Sequence, residues 1–440
     1  MKIRVMSQTL QWQSRIFAVT WVAYASFYLC RKNFSVVIPL LSGHSTLGML
    51  AFANMIFVYS LMYSAGQMIC GVLSDRFGAR LVVALSMCIA ALANMAMAFT
   101  SSPKILFAMM MVNGLGQAGG WPGLVQMMSN WFPKKNRGIV MSWWTTNYVL
   151  GAFLATLAVT YFATRCTFLP GAAWQRAFWM PAVILLCVAA FYFLGVRDTP
   201  EEVGVQIVEL EETSMPDPND PALSQILPSQ SMFEKFLLIA RSPEVLVIAG
   251  GCLFAKITRY AFLFWLPLYM TQQLHYRAAE ASYTSGIFEL AGFAGALAAG
   301  YLSDKCFGSR RFPVCALMFW GLGIACLLQP FLGAASHWTN ALGIALIGIT
   351  NFGPDTLLQG AASQDAGGAL STGTVSGFIS GVGSLGQLIS PYMVALMAGR
   401  FGWNLLFHVF VIFALCGGLL QAFYWNYGRL PEEEPREMTA

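Results

Sequence analysis

Charge is what this chain has least of. Aspartate, glutamate, lysine and arginine make up 10% of its 440 residues, against about 25% in an average soluble domain. So few charges cannot dress a water-facing surface, and a soluble globular protein is excluded. Histidine is scarcer still: His44, His275, His337 and His408 lie near expected helix ends and do not cluster. The ten cysteines are scattered, with no Cys-x-x-Cys pair. Those absences argue against a disulfide framework and a zinc site, and no metal or other cofactor is expected. There is no G-x-x-x-x-G-K-[ST] phosphate loop. No nucleophile triad or carboxylate pair is evident either. An ATP-driven pump and a membrane hydrolase are both disfavoured, and no enzymatic activity is expected.

What the chain has instead is apolar length. Hydrophobic residues make up 57% of it and the mean hydropathy is +0.61. A helix needs about 20 apolar residues to cross a bilayer. The sequence predicts twelve such spans, at 16–41, 49–73, 81–100, 104–128, 139–164, 176–196, 245–270, 281–302, 313–333, 338–362, 370–398 and 402–427. The expected fold class is therefore all-α integral membrane. "MKIRVMSQTLQWQSR" is basic and polar and runs into a long span, which predicts a retained first helix and not a cleaved signal peptide.

The basic residues of the short connections fall mostly on one side. Lys2, Arg4, Arg15, Arg76, Arg80, Lys134, Lys135, Arg137, Arg197, Lys235, Arg241, Lys305, Arg310, Arg311, Arg429 and Arg436 share it, against Lys104, Arg165, Arg176, Arg277 and Arg400 on the other. Positive loops stay cytoplasmic, so both termini are expected there. This bias accounts for the net charge of +5 without a nucleic-acid partner.

The longest polar stretch, 197–243, is acidic and holds several prolines, the mark of a linker. It divides the spans six and six: residues 1–196 and 244–440 as two bundles, 197–243 as a cytoplasmic connection. The halves also repeat one another. "RKNFSVVIPLL" (31–41) matches "RYAFLFWLPLY" (259–269) at an offset of 228, and "GVLSDRFGAR" (71–80) matches "GYLSDKCFGSR" (300–310) at 229. "WQRAF" (174–178) matches "WNLLF" (403–407) more loosely at the same offset. Arg31 and Arg259 are thus repeat mates, each near the middle of a span. A charge at the bilayer centre costs roughly 2.5–3.5 kcal/mol on insertion scales, and such residues mark a site. Duplicated bundles with a midplane site between them are the layout of alternating-access carriers. Two guanidinium forks converging on one cavity suit an oxyanion, phosphate more than a single carboxylate.

These residues resemble the major facilitator superfamily over nearly the whole chain, and within it the organophosphate:phosphate antiporters. "GVLSDRFGAR" is similar to a loop common to the superfamily. "YLCRKNF", "QAGGWPG", "WFPKKNRG", "RDTPEEVG", "RYAFLFWLPLY", "FELAGFAGALAAGYLSDK" and "FGP" (352–354) resemble the narrower family. The resemblance implies twelve helices in two pseudo-two-fold halves and exchange of a sugar phosphate, such as hexose 6-phosphate or glycerol 3-phosphate, for inorganic phosphate. It implies a lipid-embedded monomer of the bacterial inner membrane, with Arg31 and Arg259 on the substrate phosphate. It also leaves open a hexose-phosphate sensor, which binds without carrying. A proton-coupled organic-anion carrier is a further alternative. The chain departs from the family at Gln67, where bacterial members usually carry Lys, at Gln126 and at Tyr148.

Other polar positions carry two readings each. Lys256, one turn before Arg259 on the same helix face, restores the charge missing at Gln67 as a third phosphate ligand, or else pairs with an acid. Lys32, Gln67, Gln117, Trp121, Gln126 and Tyr148 are candidates for the cavity wall; for the aromatics, packing is the plainer reading. Glu289 and Asp355 lie in spans and either hold a site cation until substrate releases it or form static pairs. Asp75, Arg76, Arg80, Asp304 and Lys305 are expected as latches between helix ends. Gly116, Gly120, Pro122, Gly373, Gly377 and Gly381 are expected to serve packing and hinge motion.

Overall fold

A computed structural model describes residues 2–42, 48–132, 140–141, 143–205, 241–308 and 310–427. Within its helices, the side chains at 2–7, 68, 72, 75, 364, 367–374, 376 and 377 are not described. Every regular element among the described residues is helical. Lipid offers no hydrogen-bond partners, so a chain this apolar must satisfy its backbone within each segment.

Ahead of the expected linker stand α1 (Lys2–Phe27), α2 (Leu29–Ser42), α3 (Met49–Phe77), α4 (Ala79–Ala98), α5 (Pro103–Ala118), α6 (Gly120–Trp131), α7 (Thr146–Thr164) and α8 (Ala173–Gly195). After it come α9 (Pro243–Gln272), α10 (Ala278–Tyr301), α11 (Arg311–Ala335), α12 (His337–Leu357), α13 (Ser363–Phe401) and α14 (Trp403–Ala422). Serine–proline steps open α5 and α9, placing proline where its missing N–H costs nothing. Wide π turns follow α10 at Leu302–Cys306 and join α12 to α13 at Leu358–Ala362. Residues 206–240 of the expected linker lie outside the described residues.

Ten helical stretches among the described residues are long and apolar enough to cross a membrane. The expected spans 16–41 and 104–128 fall short because each is cut in two, at Tyr28 between α1 and α2 and at Gly119 between α5 and α6. Outward-facing Leu61, Leu85, Leu92, Leu154, Leu297, Ile324 and Leu419 are exposed, as a lipid-facing surface requires.

Two buried clusters set the shape of the interior. One lies in the first half alone, at the face where α1 begins and α14 ends: Ile16–Cys30, Ala79–Ala91, Leu124–Trp131 and Ala182–Val196 contribute to it. The other unites both halves. Its first-half members come mainly from the opposite face, Phe34–Leu41, Phe52–Tyr59, Met97, Leu106, Val159 and Phe178 among them, packed with α9, α10 and α13. Phe57 meets Tyr392 at 5.1 Å and Tyr59 meets Phe264 at 6.3 Å between ring centroids. The halves are therefore sealed at the face away from the start of α1 and the end of α14.

Candidate functional site

The break at Tyr28 sets up the site. The Arg31 N–H bonds to the Tyr28 carbonyl at 3.1 Å, three residues back, instead of reaching Phe27. The Phe27 carbonyl is left over, and the Gln117 amide donates to it at 3.1 Å. Asn113 donates to the Cys30 carbonyl at 3.0 Å. Broken helices persist in a membrane where neighbours satisfy the freed groups in this way. The α5–α6 break supplies close approach: a Cβ on Gly120 would stand 2.8 Å from the Phe27 ring, and one on Gly119 2.1 Å from Ser86 Oγ. Asn94 joins Asn33 at 2.7 Å and Asn113 at 3.0 Å, tying α2, α4 and α5 together in the buried interior.

Arg31 emerges three residues past the break. Its Nε donates to Gln117 Oε1 at 3.2 Å, and its guanidinium lies 4.7 Å from the ring centroids of both Tyr28 and Tyr63. The residue is only 7% exposed, yet its Nη2 meets no hydrogen-bond partner among the described residues. A buried donor left unmade costs more than an ordinary hydrogen bond contributes. Arg259 on α9 is differently kept. It pairs with Asp355 on α12 and lies 4.5 Å from the Phe352 centroid and 5.3 Å from that of Tyr148. The other Asp355 oxygen accepts from Gln359. Arg31, Arg259, Tyr28, Tyr148, Tyr260 and Glu289 line one narrow cavity. The repeat mates of the sequence thus face a common space.

Lys32 points elsewhere. Its Nζ lies 2.6 Å from Glu289 Oε1 and donates to the Leu263 carbonyl at 2.9 Å, joining the first half to α10 and α9. Both charged residues are 1% exposed. Neither Glu289 oxygen receives a well-directed hydrogen bond, so the contact is ionic. Lys256, 8% exposed, has no ion pair or hydrogen bond among the described residues; its ammonium packs on α13, where a Cβ on Gly383 would be 3.1 Å from Nζ. The buried centre therefore holds Arg31, Lys32, Lys256 and Arg259 against Glu289 and Asp355. Among the described residues, two of these cations, Arg31 and Lys256, have no acidic partner.

The remaining candidates are spread out. Gln67 donates to the Tyr63 hydroxyl at 2.9 Å, beside Arg31. Trp121 packs against Tyr24 and Trp144 at 5.2 and 5.5 Å, in the first-half core and away from the cavity lining. Gln126 is half-buried on α6. At the face where α1 begins and α14 ends, the Arg80 N–H donates to Asp198 at 2.7 Å and its Nε to the Phe193 carbonyl at 2.7 Å. Gly78, at φ +85°, brings its backbone against the same Asp198 carboxylate. Arg76 lies over Phe77 at 5.3 Å; the Asp75 side chain is outside the described ones. Asp304 pairs with Arg311, which also reaches Asp365 at 3.2 Å, while Lys305 is exposed. The first cluster ties the start of α4 to the end of α8 and the residues just after it, and the second ties helix ends within the second half. Asp198, Arg311, Asp365 and the asparagine network were not singled out from the sequence. Polar amides in otherwise apolar spans were the signal available for the last.

A model described as Major Facilitator Superfamily matches residues 20–372 and 248–439. The chain is 27% identical over 431 residues to a glycerol-3-phosphate transporter of Bacillus subtilis strain 168, covering 95% of this chain and 93% of that one. It is 29% identical over 405 residues to sugar phosphate exchanger 3 of Bos taurus, covering 84% and 78%. With a probable hexose phosphate transport protein of Chlamydia muridarum it shares 24% identity, covering 96% and 93%. A solved bacterial homologue of the human lysosomal transporter Spinster, inward-facing and unoccupied, superposes with a TM-score of 0.75 at 14% identity, covering 94% of this chain and 97% of that one.

Proposed function

Because this chain belongs to the major facilitator superfamily, we propose that it is a secondary transporter exchanging an organophosphate for inorganic phosphate by alternating access. The observation that carries the reading is the buried Arg31 Nη2, unpartnered in a cavity that Arg259 shares. A phosphate dianion between the two forks satisfies that donor and has oxygens to spare for Tyr28 and Tyr148. The relatives named for glycerol phosphate and sugar phosphates support the same class of cargo.

Asp355 gives the site its gate. With no anion present it neutralises Arg259; an entering phosphate competes for the same guanidinium and draws the halves together. Residues 1–196 and 244–440 then rock about the site, joined by 197–243, with Lys32–Glu289 and the sealed aromatic contacts among the bonds that must remake. The loaded carrier reorients readily and the empty one slowly, which is what makes the cycle an exchange. No covalent bond forms or breaks. The face where α1 begins and α14 ends is assigned to the cytoplasm of a bacterial inner membrane, and one chain suffices as the carrier.

A ligand that binds the folded protein stabilises it by an amount that grows with the logarithm of its concentration over Kd. Purified protein should be stabilised by inorganic phosphate, glycerol 3-phosphate and glucose 6-phosphate, and not by glycerol or glucose. Equal shifts with glucose and glucose 6-phosphate would overturn the assignment of cargo.

A further inference from the structure

Among the described residues, Lys256 is the one central cation that neither a protein acid nor the phosphate cavity accounts for. Lys32 is held by Glu289 and Arg259 by Asp355. Arg31 has the cavity before it. Asp355 is held by Arg259 and Gln359, and no ion pair or hydrogen bond joins it to Lys256 among the described residues. Lys256 also does not line the cavity that holds both arginines. Its ammonium lies against Gly383 on α13, where the absent side chain leaves the Nζ uncovered by any Cβ. A buried ammonium with no counter-charge is costly and marks function by default.

We propose that Lys256 receives a second anionic group of the cargo, so that the preferred organophosphate carries a carboxylate or further phosphate besides the one on the arginines. The inference rests on the organophosphate reading above. Lys256 is three residues from Arg259, on the same face of α9 and nearer its N-terminal end. Three residues rise about 4.5 Å along a helix, a spacing that a three-carbon backbone bridges. With phosphate on Arg31 and Arg259, the far end of such a molecule extends along α9 toward the Lys256 ammonium, beyond the present lining of the arginine cavity. A neutral hydroxyl there leaves the ammonium unpaired; a carboxylate neutralises it.

Glycerol 3-phosphate and 3-phosphoglycerate differ only by a hydroxymethyl group in place of a carboxylate, and make the test pair. Each is titrated as an inhibitor of radiolabelled phosphate self-exchange in proteoliposomes, and the two half-inhibition concentrations are compared within each variant. Wild type should favour the acid by about tenfold, the scale of one desolvated charge pair. The ratio should fall to near one in Lys256→Gln and persist in Lys256→Arg. Thermal stabilisation by the same two compounds gives the ratio for any variant that does not transport. A wild-type ratio near one, or an unchanged ratio in Lys256→Gln, overturns the proposal. Absence of phosphate self-exchange in wild type would instead count against the transport reading, with the stabilisation ratio still deciding the role of Lys256.

Discussion

Arg31 and Arg259 occupy matching positions of the repeat, but their surroundings divide the work. Arg31 waits among tyrosines with a free Nη2, while Arg259 is occupied by Asp355. Lysine keeps the charge of either residue and loses the two-pronged donor. Arg31→Lys and Arg259→Lys should each weaken phosphate binding at least tenfold, about 1.4 kcal/mol, with normal amounts of protein in the membrane. The double variant should lose less than the sum, because both residues grip one ligand. Binding isotherms beside membrane yield decide this, and wild-type affinity in both single variants would contradict it. Asp355→Asn leaves Arg259 without its carboxylate, so phosphate should bind more tightly and exchange more slowly; unchanged values of both would remove Asp355 from the gate. The arginines were legible in the sequence, since a guanidinium in mid-span is rare and theirs recur at one offset. Gln117 was legible only as a candidate. Its task is to serve the Phe27 carbonyl and Arg31 together, and that need arises from a backbone break that no side chain announces.

At the scale of the helix, length and number of spans were readable from hydropathy, and interruptions were not. Residues 104–128 stay apolar across Gly119, because a break whose carbonyls are met by neighbouring helices needs no polar marker of its own. The adjacent glycines and Pro122 were the only trace. Glycine rows also proved unequal. A Cβ on Gly116 would lie 2.4 Å from the Ala90 backbone nitrogen, whereas one on Gly381 meets nothing within 4 Å. Gly116→Ala should therefore push α5 off α4 and cost about 1–3 kcal/mol, read as a lower melting temperature in detergent. Gly381→Ala should melt like wild type. Equal melting of the two would mean that the α4–α5 contact is looser than described. The surroundings of Gly373 and Gly377 lie outside what is described, so the expected helix-packing row is read at Gly381 alone, and that position is open.

For the whole molecule, the two-half layout was legible because the repeat preserved its arginines and its loop motif, while the sealed face was not. Which ends of the halves meet depends on long-range packing of ordinary apolar residues such as Phe57 on Tyr392. Rocking requires that face to open. A Cβ on Gly399 would stand 3.8 Å from the Met49 sulfur across the seam, so Met49→Cys with Gly399→Cys, in a background without the native cysteines, should form a disulfide that clamps it. Oxidation should stop exchange and a reductant should restore it; exchange at the reduced rate in fully oxidised vesicles would show that this face need not part. The most direct test of the account is uptake of labelled glycerol 3-phosphate by reconstituted protein in two sets of vesicles, one loaded with inorganic phosphate and one without. Fast uptake into the loaded set, blocked by external phosphate, with little into the empty set, is the predicted result. Equal uptake into both would contradict exchange, and binding with no uptake into either would make the protein a sensor.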